Sequence, residues 1–455
     1  MLRLSIAAEK LGIPSVSVVV PMFHRQAQAV ARGMGFPGLQ LALYPGAIET
    51  HSEEELRRNV AGLFPGMVAA WTRPPEHAAA GSVPRLGAVA LRGDFDGIND
   101  HYYRQGWTDG LPVVPPTRAK VDAMLAWVER DPDETIAVLP IANRKATARA
   151  IAINAVMAGC RPEYMPVLVA AVEAMADPVY QLKDINTTGS IKPFIVVNGP
   201  VARQLDINAG TSLMAPGRHS NSTIGRALGL VVRNIAGFRE GETSNGCFGW
   251  PGSPWVMAED EANSPWPPYH QDAGCAPGSS AVTAMMMMNM TNQAMTAGDT
   301  AEPHLTGLCY KLSQAFGTTF MQMGEDHGSM FVFISPANAR VIARDGYSKQ
   351  AVREYLAANA KLLVEDIDTE FRFTFAGSTD SVHSMALEGR IPREWDRPHG
   401  EKIPFITTPR VIHVVVCGSA ERNRNLVMRA SYCTPVTREI RLPARWTTAF
   451  GPTAS

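Results

Sequence analysis

SIAAEKLGIPSVSVVV, residues 5–20, is the stretch whose reading decides the fold. Ser5 to Leu11 reads as the end of an amphipathic helix, Gly12 as its stop, and Val16 to Val20 as a buried strand. A helix followed at once by a strand is the second half of a βαβ unit. Working outward, HRQAQAVARGMG (24–35) predicts a helix closed by Gly33 and Gly35, and LQLALYPG (39–46) a second strand. SEEELRRNVAGLFPGMVAAW (52–71) predicts a helix capped by Ser52, with Glu53 to Glu55 on the positive end of its dipole. Strands alternating with helices of this size imply a parallel sheet covered on both faces. Such a sheet needs a strand ahead of its first helix. The expectation for residues 1–71 is therefore a partial parallel three-layer α/β unit lacking its first strand.

TRPPEHAAAGSVPRLG (72–87) is rich in Pro, Ala and Gly without apolar periodicity and reads as a linker. Residues 88–455 show no comparable break and are expected to form one large α/β or α+β domain with a ligand pocket. Its clearest elements are helices in ATARAIAINAVMAG (146–159), PEYMPVLVAAVEAMAD (162–177) and NSTIGRALGLVVRNIAG (221–237), the last with an apolar stripe of Ile224, Leu228, Val231 and Ile235. KPFIVVNGP (192–200), SMFVFIS (329–335) and RVIHVVVCGS (410–419) read as buried strands. Ser335 is expected to cap the helix of PANARVIARDG (336–346), and SKQAVREYLAANAKLL (348–363) to be helical throughout. AVTAMMMMNMTNQAM (281–295) suggests soft thioether ligands for copper(I), but consecutive methionines on a helix point all round it; a buried helix with adaptable packing is expected.

Length and composition set the function class only loosely. The chain has 455 residues and a formal net charge of −1, which argues against a nucleic-acid binder, whose basic stripe would show. Six scattered cysteines without a CxxC pair fit reduced thiols rather than a disulfide framework or structural zinc. No secretory leader pattern and no apolar run of membrane-spanning length is present in the sequence, so a cytoplasmic protein is expected. GxGxxG and a Walker lysine are absent, and no cofactor is named by any motif.

Four places carry candidate chemistry. In APGRHSNSTIGRALGLVVRN (215–234), Ser220, Asn221 and Ser222 leave free N–H groups at a helix start, with Arg226 and Arg233 nearby; a carboxylate or phosphate would suit them, though capping alone also explains the pattern. In INAVMAGCRPEY (153–164), Asn154 falls on an apolar helix face and is either a structural bridge or a ligand contact. Cys160 there is a small buried hydrophobe or, with Arg161 and a helix start beside it, a thiol nucleophile. GEDHGSMFVFIS (324–335) holds Glu325, Asp326 and His327, an acid–imidazole cluster suited to proton transfer or metal binding, or else a polar turn. GWTDGLPVVPPT (106–117), with Trp107 and Asp109, reads as a rigid proline-rich cover for a pocket. His219, His270, His304 and His383 sit near Gly, Pro or Ser without HExxH or HxH spacing, so a metal site would have to assemble from distant loops. In HVVVCGSAERNRNLVMRAS (413–431), a strand and glycine turn lead into an expected helix or loop, where Arg422 and Arg424 could meet an anion.

The segment AAEKLGIPSVSVVVPMFHRQAQAVARGMGFPGLQLALYPG, with the acidic helix after it, resembles the UGSC family of (seleno)proteins, named for a selenocysteine- or cysteine-Gly-Ser-Cys motif. The phrases GWTDGLPVVPPT, AINAVMAGCRPEYMPVLVAAVEAM, NSTIGRALGLVVRN and GYSKQAVREYL resemble a large region associated with that group. In the family the motif ends a first strand and leads into the helix matching Ser5 to Leu11. No residue of this sequence matches it, so none inherits its role, and the resemblance implies a chain starting past the motif or a member without it. The resemblance also tilts the expected chemistry toward redox or thiol reactions. The combined expectation is a cytosolic enzyme acting on a small polar, anionic organic substrate. In it Asn154, Asn221, Arg226 and Asp109 bind substrate, His327 or Glu325 moves a proton, and Cys160 is an outside candidate for nucleophile. The alternatives are a non-catalytic ligand-binding or regulatory subunit and a metal-dependent lyase or hydrolase. A homo-oligomer or partner subunit is expected to accompany either enzyme or subunit.

Overall fold

The computed structural model describes residues 2–72, 89, 91–185, 188–249, 252, 254–290, 293–316, 328–374, 379–431 and 433–451. Contacts divide them into two compact units. Unit 1 takes Met1–Gly159, Leu182–Ser190 and Ala227–Gly252; unit 2 takes Cys160–Gln181, Ile191–Arg226 and Ser253–Ser455. Both mix helices and strands, so the fold class is α/β. No described helix is long and apolar enough to cross a membrane.

Unit 1 opens with the helix Leu2–Lys10, after which Gly12 takes φ +77°, a left-handed turn that glycine adopts without penalty. Strand β1 (Val16–Val19) pairs in parallel with β2 (Gln40–Leu43), and the helix His24–Gly33 makes the crossover. The helix Glu53–Trp71 begins in a capping box: Ser52 Oγ accepts from Glu55 N, and Glu55 reaches back to Ser52 N at 2.8 Å. Further along unit 1, β3 (Thr135–Leu139) and β4 (Arg144–Thr147) form an antiparallel pair that leads straight into the helix Ala148–Ala158. That helix is capped by Thr147 Oγ1 accepting from Ala150 N at 3.1 Å and ended by Gly159 at φ +85°. It buries every residue except Arg149 and Ile153. The helix Phe95–Arg104 and the helix Arg118–Leu125 complete this part of the unit.

Unit 2 is organised by a mixed eight-stranded sheet. Its strands are β5 (Lys192–Asn198), β6 (Trp255–Ala258), β7 (Ala281–Met290), β8 (Ala294–Met295), β9 (Gly328–Ile334), β12 (Ile412–Val416), β13 (Arg424–Ser431) and β14 (Val436–Glu439). The order is β12-β9-β13-β7-β5-β6, with β14 on β7 and β8 on β13; β5–β6 and β9–β12 are parallel and the other pairs antiparallel. A small antiparallel pair, β10 (Lys361–Leu363) and β11 (Lys402–Pro404), lies outside this sheet. The apolar helix Met165–Ala176 packs on β7 and β14. A second core joins the helix Ala301–Phe316, β9, β12 and the helices Pro336–Arg344 and Lys349–Asn359, with Phe371 and Phe405 fully buried in it.

Four sequence expectations are corrected here. The methionine run is the middle strand β7, not a helix: Met285 to Met287 are buried between β5 and β13, and a strand covered on both faces needs no polar alternation. The segment after Gly418 becomes β13 rather than a helix. Ser335 stands at the start of the helix Pro336–Arg344, but its side chain makes no capping bond. Residues 348–363 are helical only from Lys349 to Asn359, after which Lys361–Leu363 pair with β11.

Candidate functional site

A cleft of about 710 Å³ lies within unit 1. The helix Ala148–Ala158 supplies its floor: Arg149 and Ile153, the two residues that this helix leaves unburied, face it together with Asn154 and Met157. One wall comes from Trp107, Pro115, Pro116 and Thr117, so the proline-rich segment does line a cavity. Ile98 and Tyr102, four apart on one helix face, and Val121 and Asp122 on another add further lining. The Tyr102 and Trp107 rings meet edge to face, with centroids 5.2 Å apart.

The remaining wall depends on an irregularity in the backbone. The helix His219–Val231 continues into a π-helical turn, Val232–Ala236, which Gly237 ends at φ +89°. A Cβ on Gly237 would lie 2.9 Å from the Ala142 Cβ, so the close approach there requires glycine. The wider turn carries Arg233 and Asn234 toward the loop at Gly106. Arg233 Nε donates to Gly106 O at 2.9 Å, and Asn234 Nδ2 donates to Trp107 O at 2.9 Å.

The charge of the cleft is one-sided. Arg92, Arg118, Arg144, Arg149 and Arg239 line it against Asp122 and Asp133. Arg149 is matched by Asp133 in a two-bond pair of 2.8 and 3.0 Å, which draws the Asp133 carboxyl below its ordinary value. Arg144 donates to Asn234 O at 2.8 Å. Partial loss of hydration, and after it the charge of neighbouring Arg239, lower the Arg144 guanidinium from its usual value. Two guanidinium groups side by side in a concave, half-apolar wall form a receptor for a carboxylate, sulfonate or phosphate group.

The structure distributes the sequence candidates unevenly. Asn154 is buried on the cleft floor, donating to Ala150 O at 2.9 Å and accepting from Asn234 Nδ2 at 2.8 Å. Asp109 is exposed beside Trp107 but is not part of the lining; its carboxylate accepts from Leu111 N at 3.3 Å, closing a local turn. Asn221 belongs to unit 2, and both ends of its amide are spent on backbone: Oδ1 accepts from Asn208 N at 2.9 Å and Nδ2 donates to Val256 O at 2.7 Å. Arg226 lies one helical turn beyond, close enough to Cys160 for its charge to be felt there. That charge does not activate the thiol. Cys160 is buried, its Sγ donates to Thr223 O at 3.2 Å, and burial pushes it up to about 12. Glu325 and His327 lie outside the described residues. Among the described residues no group of three or more His, Cys, Asp and Glu side chains is arranged to hold a metal ion.

Sequence reading missed the arginines. They come from five separate elements, and only the density of basic residues in NRKATARA (143–150) hints at them. It also missed a buried ionic cluster in unit 2. There Glu259 accepts from Tyr269 N at 2.6 Å and from Asn198 Nδ2 at 2.7 Å, with Lys349 Nζ 3.7 Å away. Lys349 also approaches Asp272 at 3.3 Å, and Asp272 in turn holds Arg353 at 2.6 Å. Burial raises the Glu259 carboxyl against the opposing charge of Lys349. Next to this group Asp260 N donates to Val416 O at 2.8 Å, joining the ends of β6 and β12, the two outermost strands of the sheet order.

No curated protein matches the chain. Residues 1–73, which hold the parallel β1–β2 pair and its three helices, match the UGSC family, and over this stretch the resemblance seen in the sequence is shown.

Proposed function

We propose that the chain binds a small anionic organic molecule in the arginine-lined cleft of unit 1 and acts on it as an enzyme. The observation that carries the reading is the pair Arg144 and Arg239. These two neighbouring cations have no carboxylate at ion-pair distance among the described residues, and they stand in a cleft that also offers apolar and aromatic surface. Like charges gathered without a counter-ion cost stability, and a bound anion offsets that cost. Ile153, Met157 and Val121 would receive the organic part of the molecule, and the Tyr102–Trp107 pair would shape its outer end.

The reaction class rests on the family resemblance, which supports redox or thiol chemistry; the cleft supports recognition. Its lining contains no cysteine among the described residues, and Cys160 is held protonated, so the cleft's own groups serve to bind and orient. A ligand-binding subunit without its own chemistry is the second reading, favoured by that same lack of an activated nucleophile in the lining.

The test is thermal unfolding of the full chain with a panel of small carboxylates, sulfonates and phosphates. A dose-dependent rise in Tm that Arg239→Ala and Arg144→Ala each abolish supports the reading. A panel without effect, or one whose effect survives both substitutions, overturns it. Turnover of a stabilising compound separates enzyme from binding subunit.

A further inference from the structure

Inside the cleft Asn234 has one polar atom to spare. Its Nδ2 donates to Trp107 O at 2.9 Å and to Asn154 Oδ1 at 2.8 Å. The Asn154 amide is itself oriented by its donation to Ala150 O at 2.9 Å. These bonds fix which way the Asn234 amide faces, because turning it over would set its oxygen against two other oxygens. Oδ1 is thereby left buried, without a hydrogen-bond partner. Buried acceptors are as a rule satisfied, and one left open beside a concave cationic wall calls for a donor. The protein places its own spare donors close by, since Arg144 already bonds the backbone oxygen of the same residue at 2.8 Å. An anion seated on Arg144 and Arg239 would therefore sit next to the open acceptor.

We infer that the anion bound here also carries a hydrogen-bond donor beside its acid group, a hydroxyl or an amine N–H, and that Asn234 Oδ1 receives it. The inference rests on the anionic-ligand reading above and narrows it from acids in general to hydroxy or amino acids. Asn234 is then the residue that sets specificity, and the arginines supply most of the affinity. A site built to bond a donor rejects the analogue that lacks it, because the acceptor is then left unpaired in a dry wall.

The experiment is isothermal titration of the full chain with three probes of one skeleton: phenylacetate, mandelate and phenylglycine. The first two share ring and charge and differ by one hydroxyl. Mandelate or phenylglycine binding about tenfold tighter than phenylacetate is expected, with the tighter of the two assigning the donor to oxygen or nitrogen. In Asn234→Ala the difference should vanish while Arg239-dependent binding persists. Should that variant fail to fold, the comparison in the native chain still decides. Equal affinities for mandelate, phenylglycine and phenylacetate overturn this inference and leave the anion reading standing. A preference that survives Asn234→Ala overturns the assignment to Asn234. Absence of binding by all three at millimolar concentration overturns both.

Discussion

Lys349 and Glu259 are buried side by side, with Nζ 3.7 Å from Oε1 and side chains 5% and 0% exposed. Such a pair is worth little against well-packed apolar residues, yet breaking it is expensive because one charge is left uncompensated. Lys349→Met is expected to cost about 3 kcal/mol at pH 7. The sign of its pH dependence follows from Glu259, whose carboxyl burial already raises. Without Lys349 it rises further, so the folded state binds a proton that the unfolded chain releases above about pH 4.3. The variant should regain stability as pH falls toward that value. Denaturant unfolding at pH 7 and pH 5 measures this, and a variant with the native midpoint at both pH values would contradict it.

His413 works in the opposite direction. Its Nδ1 bonds Tyr269 Oη at 2.9 Å, its ring stacks on Phe331 at 4.8 Å, and burial lowers it to about 3. An unfolded histidine titrates near 6.5, so between those values the unfolded chain holds the extra proton. Stability contributed by neutral His413 is present above about pH 6.5 and is lost as pH falls toward 3, at up to about 1.4 kcal/mol per pH unit. His413→Phe should flatten the acid limb of a stability–pH curve while lowering the plateau through loss of the Tyr269 bond. An unchanged acid limb would place the sensitivity elsewhere.

In the cleft, function and stability should separate. Removing Arg239 relieves its repulsion with Arg144, so Arg239→Ala is expected to leave the unliganded chain within about 0.5 kcal/mol of the native stability. The same change should weaken binding of a stabilising anion by about tenfold or more. Unfolding curves with and without ligand make the comparison. A large loss of stability without ligand would give Arg239 a structural role instead.

The cysteines should differ sharply in reactivity. Cys160, Cys309 and Cys433 are buried, and burial pushes each thiol up to about 12, whereas Cys247 is exposed. Under native conditions at neutral pH, alkylation followed by peptide mass mapping should label Cys247 long before Cys160. Rapid labelling of Cys160 would restore it as a candidate nucleophile.

Local signals carried much of the fold. The capping box of Ser52 and Glu55, the left-handed Gly159 and the stop at Gly12 each mark a helix end through backbone chemistry that acts within a few residues. Met285 to Met287 gave no such signal. Unbranched side chains in an unbroken apolar run lack a period, and only the neighbours β5 and β13 decide that they lie in a strand. Asn154 was legible as a polar residue on an apolar helix face. Arg144 and Arg239 were not, because a strand start and a distant loop meet only in the folded chain. Asn221 misled for the same reason: its partners Asn208 and Val256 are backbone groups brought by tertiary structure.

The π-helical turn at Val232–Ala236 makes the recognition site a matter of counting. An α-helix advances about 100° per residue, so one residue more or fewer between Val231 and Gly237 would swing Asn234 away from Trp107 and Asn154 without altering any side chain's chemistry. A single codon deleted there should erase ligand selection more thoroughly than most substitutions. A descendant of this chain could thus lose or exchange its preferred molecule by an insertion or deletion alone.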